Sequence, residues 1–388
     1  MHDVVIVGAG PVGGALALAL AETELDVVAL DARGAGATLR GDRSLALSHG
    51  ARLIFERLGV WPRLSSVPGA VTPIVEIDIS QAGGFGVTRL TADEQGVPAL
   101  GYVVSYRALQ SAIDDALART RIVLRFGAAA SAVDATPARA QITVDGTPPE
   151  TLLTRLAVVA DGTGTTVSGI AREKRDYGQV ALIAKVRMER PHRGIAFERF
   201  TPDGPMALLP EGGDQSAHYG LVWTMTPAKA ESMLALPDEQ FLAAVAQHFG
   251  TRVRGFAQVA ERRTFPLRLE FARPMTATRS AVIGNAAQAL HPIAGQGFNL
   301  GVRDAWELGQ AIIRTPRDTL GDASMLAAFA ARRRADRYAG IAFTHGLTQL
   351  FAADAALVRW PRGLALTFLD AVPPLKKAFT RAMLFGFS

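Results

Sequence analysis

The sequence predicts an α/β fold in which a Rossmann-like domain is interleaved with an α+β sheet domain and followed by C-terminal helices. Three observations carry that prediction. A glycine cluster, GAGPVG from Gly8 to Gly13, joins a short apolar run to an alanine- and leucine-rich run, within a unit of βαβ size. From about residue 176 to 269 the texture changes to short apolar runs separated by Gly, Pro and Asp. Late in the chain, residues 284–304 read GNAAQALHPIAGQGFNLGVRD, a loop with paired glycines feeding a helix.

Taken in order, residues 3–7 form an apolar strand, 11–22 a helix, and 26–30 a second buried strand ending at Asp31. The glycines have separate tasks. Gly8 permits the tight turn, Gly10 lets backbone N–H groups approach a pyrophosphate, and Gly13 lets the helix pack closely on the strand. The helix N-terminus presents its positive dipole end to the phosphates. Asp31, about 20 residues past the glycines, is placed for a ribose 2′-hydroxyl, and a carboxylate there disfavours a 2′-phosphate. By itself the motif does not separate NAD from FAD.

A second helix is expected over 49–58, after Arg43 in the segment DRSLALS. Val75, Ile77 and Ile79 then alternate as in a strand before a GGFG tip, an excursion into the other domain. The chain returns through a short strand and a helix over 106–117, a strand meander over 121–147, the buried strand LAVVA and the turn Asp161–Gly162. Between 176 and 269, VALIAKVRM, GPMALLP, HYGLVWTM and RRTFPLRL read as strands, interrupted by the helix PDEQFLAAVAQHFG. SAVIGN is a further strand, and a helix begins near Phe298 or Asn299. This reading assigns residues 1–70, 101–175 and 276–322 to the cofactor domain, 71–100 and 176–275 to a substrate domain, and 323–388 to C-terminal helices.

Composition narrows the chemistry. Of 388 residues 49% are hydrophobic, enough to bury a large core across two connected domains. Cysteine is absent, which excludes disulfides, Cys-ligated zinc and iron–sulfur clusters, so redox work needs an organic cofactor. The 7 histidines show no close metal-ligand spacing, and no metal is expected. The charge of +5, from 41 basic and 36 acidic residues, is a mixed surface and not a nucleic-acid-binding field. The N-terminus has neither the basic nor the apolar segment of an export signal, and no run approaches the roughly 20 apolar residues that span a bilayer. The expected location is cytoplasmic, peripheral on the inner membrane.

The late loop resolves the choice of dinucleotide. Gly295 and Gly297 let backbone approach a planar ring, and the helix after them points N–H groups at it, stabilising charge at the N1 and C2 carbonyl side of a reduced flavin. Paired with the N-terminal glycines, this points to FAD held from both ends of the chain.

On GAGPVG, DRSLALS, SYRALQSAI, the VVADG turn and the late segment, the chain resembles the class A flavoprotein aromatic hydroxylases over nearly its whole length, and among them the ubiquinone-biosynthesis hydroxylases. The resemblance implies an FAD domain interleaved with a sheet-containing substrate domain, and NAD(P)H visiting as co-substrate without its own glycine fingerprint. Position by position, it implies that Gly8, Gly10, Gly13 and Asp31 hold the ADP half of FAD. Arg43 and Arg107 fall at its phosphate or flavin-linking portion, Asp161 of the VVADG turn is a further cofactor-binding residue, and Gly295, Gln296, Gly297, Phe298, Asn299 and Leu300 lie beside the isoalloxazine. Two positions depart from the wider pattern: Asn285 stands where Asp is usual, and Ser168 where the DG motif usually ends in Arg. Asn retains hydrogen-bonding capacity without charge. GNAAQ followed by LHPIAGQGFNLG resembles the subgroup that hydroxylates a 2-polyprenyl-6-methoxyphenol.

The chemistry so implied is monooxygenation of an electron-rich phenol by O2 through a flavin C4a-hydroperoxide, after hydride transfer from a nicotinamide. Pro292 is the expected wall near the reacting flavin edge, and His291 is placed to assist proton movement, against a purely structural hydrogen bond. In the C-terminal region Leu364, Leu366, Phe368, Leu369, Phe379, Met383, Leu384 and Phe385 mix with Arg359, Arg362, Lys376, Lys377 and Arg381. That mixture suits an anionic membrane surface or a ubiquinone-biosynthesis complex, and equally suits packing onto the chain's own domain. Two rival functions stay open: an FAD-dependent dehydrogenase or prenyl reductase, and a catalytically weak scaffold of a lipid-biosynthesis assembly.

Overall fold

The computed structural model describes residues 1–37, 43–162, 164–289, 295–352 and 356–386. Its first sheet is parallel through Val123–Phe126, Val27–Asp31, His2–Val7, Glu150–Val159 and Ser280–Val282, in that spatial order. All of Val27–Asp31 and all but the first residue of His2–Val7 are buried, the pattern of strands covered on both faces. Antiparallel strands Ala130–Ala135 and Ala140–Val144 extend the sheet from the first half of Glu150–Val159. Helix Pro11–Ala19 packs against Tyr106–Leu117 and against the late helix Gln296–Arg314.

Boundaries move where local hydrogen bonds decide them. The first helix ends at Ala19 and not near residue 22, because Ala21 N and Thr23 N donate to carbonyls three residues back and the Thr23 hydroxyl also donates to Leu20 O. The helices His49–Arg57 and Tyr106–Leu117 both start behind a serine: Ser48 Oγ accepts from Ala51 N, and Ser105 Oγ from Ala108 N.

The second sheet has 8 strands, in the order Gln288–Ala289, Phe256–Arg273, Ala171–Met188, His218–Met225, Gly204–Glu211, Ile195–Thr201, Glu76–Gln81 and Val87–Thr91. Side chains alternate between its faces. Met206, Leu208, Leu221 and Trp223 enter a core closed by Phe241 and Phe249 of helix Asp238–Phe249. The intervening Pro205, Ala207, Leu209, Val222 and Thr224 look the other way, into a cavity. A 3-stranded sheet, Ser44–Ser48, Gly101–Ser105 and Val71–Ile74, lies alongside. The chain ends in helices Ala323–Ala352, Ala356–Ala371 and Pro373–Phe385.

Candidate active site

The glycine loop is built by backbone. A Cβ on Gly13 would stand 1.9 Å from Gly8 O, and one on Gly8, at φ +95°, would stand 2.6 Å from the Cα of Asp161. Gly10 is the opposite case: nothing lies within 4 Å of its Cβ position, and no side chain caps the helix it precedes. The first-turn N–H groups of Pro11–Ala19 therefore face open space, a cradle that fits a pyrophosphate.

Neighbouring groups brace this loop. Asp161 Oδ2 accepts from Thr165 N at 2.8 Å and from Thr165 Oγ1 at 2.6 Å, closing the turn that abuts Gly8. Ser168 does not reach that turn and donates to Asp134. Arg172 does reach it, donating to the carbonyls of Gly162 at 3.5 Å and Thr165 at 3.3 Å. Gln110 Nε2 donates to Ala9 O at 3.0 Å, which sets helix Tyr106–Leu117 beside the loop. Arg107 lies in that helix's first turn, and the Arg43 guanidinium stands 4.5 Å over the Tyr106 ring, so both arginines reach the same helix start. Asp31 is held by Arg33, whose backbone N–H donates at 2.8 Å and whose guanidinium donates twice more. Burial opposes the charge of Arg33, but hydrogen bonds from it to Asp31 and Asp114 outweigh burial and raise its pKa.

The two ends of the chain meet at Val12. A Cβ on Gly284 would stand 3.0 Å from Val12 Cγ1, and one on Gly301 would stand 2.9 Å from Gly284 Cα. Asn285, exposed, follows in the turn Gly284–Ala286, beyond the carboxyl end of Ser280–Val282, the end of a parallel sheet at which nucleotides bind. The late helix begins at Gln296, earlier than residue 298 or 299, because Gly295 at φ +59° turns the chain into it; again no side chain caps it. Gly295, Gln296 and Asn299 border the cavity, and Gly297 lies between them in the first turn. Phe298 instead stacks on Phe55 at 6.4 Å, and Leu300 is buried toward Gly340, so these two support the helix from behind. His291 and Pro292 lie outside the described residues.

Asn299 is a structural tie. Its Oδ1 accepts from Ser48 N at 2.8 Å, and its Nδ2 donates to Ala46 O at 3.1 Å and Gly295 O at 2.9 Å. The amide thus takes the place of a neighbouring strand along the free edge of Ser44–Ser48. Deeper in the same helix, buried Asp304 accepts from Gln288 Nε2 at 2.6 Å and from Arg333 Nε at 2.8 Å. Arg333 also donates to Asp336, which accepts from Arg303 as well, so a buried ionic cluster locks helix Ala323–Ala352 to the late helix. Burial opposes Arg333's charge, and Asp304 and Asp336 more than restore it.

The cavity, about 330 Å³, runs between the N-terminus of the late helix, the open face of the 8-stranded sheet and the C-terminal helices. Its lining is apolar apart from a few groups, and Glu198 is the one charged side chain that the sheet contributes among the described residues. Desolvation pushes the Glu198 pKa up to about 8. The C-terminal helices form the lid. Gly363 and Gly86 meet backbone to backbone, Thr88 Oγ1 donates to Leu366 O at 2.8 Å, and Lys376 Nζ bridges Glu94 at 2.9 Å and Asp370 at 3.1 Å. Leu366, Leu369, Phe379, Met383 and Leu384 face the cavity, whereas Trp360, Leu364 and Phe368 face outward at 68, 59 and 60% exposure. Of the basic residues in that mixture, Arg362 and Lys376 are buried within the lid, as in packing onto the chain's own domain, and Lys377 and Arg381 are exposed.

A glycine-lined cleft of dinucleotide-binding form, a second glycine-led helix and an apolar cavity at that helix's N-terminus are the features of a flavin enzyme. The chain belongs to the FAD binding domain family, whose model matches residues 1–341. It is 35% identical to ubiquinone hydroxylase UbiL of Rhodospirillum rubrum, over 98% of this chain and 88% of that protein. It is 28% identical to 3-demethoxyubiquinol 3-hydroxylase of Escherichia coli, over 97% of this chain and 96% of that protein. In fold it is similar to p-nitrophenol 4-monooxygenase PnpA from Pseudomonas putida DLL-E4, with a TM-score of 0.78 at 15% identity, covering 100% and 99% of the two chains. The chain is an FAD-dependent monooxygenase with NAD(P)H as co-substrate. Among the described residues no cluster of His, Asp and Glu is arranged to hold a metal, and no helix is long and apolar enough to cross a membrane.

Sequence reasoning missed Gln110, Arg172 and Glu198. Gln110 sits in the quoted SYRALQSAI, where a polar residue on the buried helix face was a usable signal. Arg172 and Glu198 gave none, because only the folded sheet brings them to the site.

Proposed function

We propose that the chain hydroxylates the ring of a polyprenylated phenol in ubiquinone biosynthesis, with 2-polyprenyl-6-methoxyphenol as the substrate. The observation that carries this reading is the shape of the cavity: an apolar volume beginning at Gly295 and Gln296 and continuing beneath Leu366, Leu369 and Met383. An aromatic ring suits the first end and a prenyl tail the second. The relatives UbiL and 3-demethoxyubiquinol 3-hydroxylase, a ubiquinone hydroxylase and a demethoxyubiquinol hydroxylase by name, support the same pathway.

In this reading the Gly8–Gly13 loop and the helix behind it hold the pyrophosphate of FAD, and the N-terminus of Gln296–Arg314 faces the isoalloxazine. Bound FAD supplies hydride acceptance from NAD(P)H and the activation of dioxygen. The chain's own part is to orient the ring at the helix N-terminus and to keep water out, which the lid does through its backbone contact at Gly86 and its Lys376 ion pairs. The outward residues Trp360, Leu364 and Phe368, with Lys377 and Arg381 nearby in the chain, rest on an anionic membrane from which a prenylated substrate enters.

The test is turnover under isotopically labelled dioxygen with NAD(P)H and a short-tailed prenylated phenol. One labelled oxygen on the product ring is expected. Product lacking the label would move the chain to dehydrogenase or prenyl reductase chemistry, and a purified chain without flavin would favour the scaffold.

A further inference from the structure

We infer that Glu198 takes hold of the substrate's ring hydroxyl and accepts its proton as the ring is oxygenated. The inference rests on the phenolic substrate proposed above. Glu198 lies on strand Ile195–Thr201 and pairs with Ala207 on one side and Ile79 on the other, and all three line the cavity. Its own-strand neighbours on that face, Ala196 and Phe200, are apolar. No hydrogen bond or ion pair engages its carboxyl among the described residues, and its remaining exposure is to the cavity. Among the described residues the other charged side chain of the lining is Arg362, on the lid helix Ala356–Ala371, and the remaining polar liners, such as Thr224, Gln296, Asn299 and Thr380, do not titrate.

A carboxyl that served only the fold would be paired, as Asp304 and Asp336 are with Arg333. A lone one on an apolar wall costs stability, and such a cost persists where a ligand makes use of the group. Desolvation puts this carboxyl at about 8, between an ordinary carboxyl and a phenol near 10, so proton sharing with a phenolic hydroxyl is close to matched. As the attacked ring carbon forms its C–O bond, the ring hydroxyl gives its proton to the carboxylate and becomes a ring carbonyl. The proton on the attacked carbon then leaves to solvent, the ring oxygen recovers the one held by Glu198, and aromaticity returns. The ring supplies two electrons to the activated oxygen of the monooxygenase reaction, and Glu198 ends as it began.

The experiment uses the oxidised holoprotein without NAD(P)H and follows flavin absorbance as a short-tailed 2-prenylphenol or its methyl ether is added. At a pH above about 8, where the carboxylate only accepts, wild type should prefer the phenol about tenfold or more, because the ether has no proton to donate to it. Glu198→Leu should keep its flavin and lose the preference. Glu198→Gln, whose amide still hydrogen-bonds the ring oxygen, should keep phenol binding but lose the rise of hydroxylation with pH through about 8. Both variants should gain thermal stability at alkaline pH. With its folded pKa above the unfolded value, Glu198 favours folding fully only below about 4.5, and the wild type loses that contribution as pH rises through about 8. A preference that survives in Glu198→Leu overturns the inference. Wild type binding phenol and ether equally overturns it while leaving the substrate class intact, whereas wild type binding neither removes the substrate class with it.

Discussion

The glycine cleft and the apolar cavity are made in opposite ways. The cleft is shaped by side chains that are missing: Gly8, Gly13, Gly284 and Gly301 each sit where a Cβ would press into neighbouring atoms, and Gly10 leaves room. The cavity is shaped by side chains that are present, drawn from the 8-stranded and 3-stranded sheets, the late helix and two lid helices. The cleft therefore tolerates almost no substitution, while the sheet and lid residues of the cavity can be exchanged one at a time.

The largest expected effect breaks the cleft. Gly13→Val places carbon at a position already 1.9 Å from Gly8 O and 3.2 Å from Ala160 Cβ, so strand and helix must separate. We expect complete loss of bound flavin and a destabilisation on the order of 3 kcal/mol, measured by flavin absorbance after gel filtration and by thermal melting. A variant of Gly13 that kept its flavin would show that the cleft is as adaptable as the cavity.

This contrast also explains what was legible beforehand. A backbone constraint leaves a fixed trace in sequence, so GAGPVG, the Asp161–Gly162 turn and AGQG were readable as spacings, and the helix over 106–117 matched its boundaries because Ser105 caps it. The cavity left no such trace. Glu198 lies in IAFERFT, where nothing distinguishes it from the solvated charges around it until strand pairing turns it inward beside Ala207 and Ile79. Likewise Phe298 and Leu300, adjacent in sequence to Gly295 and Gly297, pack on the core side of the late helix because helical spacing carries them there. In the lid, packing onto the chain's own domain accounts for one stripe of Ala356–Ala371, which lines the cavity, while another stripe faces outward.

A middle-sized effect is expected at the seam. Asn299→Ala leaves Ser48 N and Ala46 O without their partner on a buried strand edge, a loss of about 1–3 kcal/mol. Because the same amide ties Gly295 O, the variant should loosen the late helix's N-terminus. Flavin fluorescence should rise and Kd for FAD should increase, with the Gly8–Gly13 loop unaffected. Unchanged flavin binding together with a lowered Tm would show that Asn299 serves the 3-stranded sheet and not the cofactor.

The smallest effect on the fold is expected on the outer face of the lid, where the comparison is sharpest. Trp360, Leu364 and Phe368 recur every four residues on one side of a helix whose other side, at Leu366 and Leu369, closes the cavity. Replacing all three by serine removes exposed apolar surface and touches neither the Lys376 ion pairs nor the Thr88–Leu366 hydrogen bond that fasten the lid. Unfolding free energy should change only within the range of ordinary surface substitutions, about 0.5 kcal/mol for each, and flavin content should not change. Co-sedimentation with anionic liposomes should fall steeply, and turnover should fall for a long-chain substrate delivered in those liposomes while a short-tailed analogue in solution is hydroxylated as before. Equal loss on both substrates would mean that the stripe holds the lid in place, and undiminished liposome binding would place the membrane contact elsewhere on the molecule.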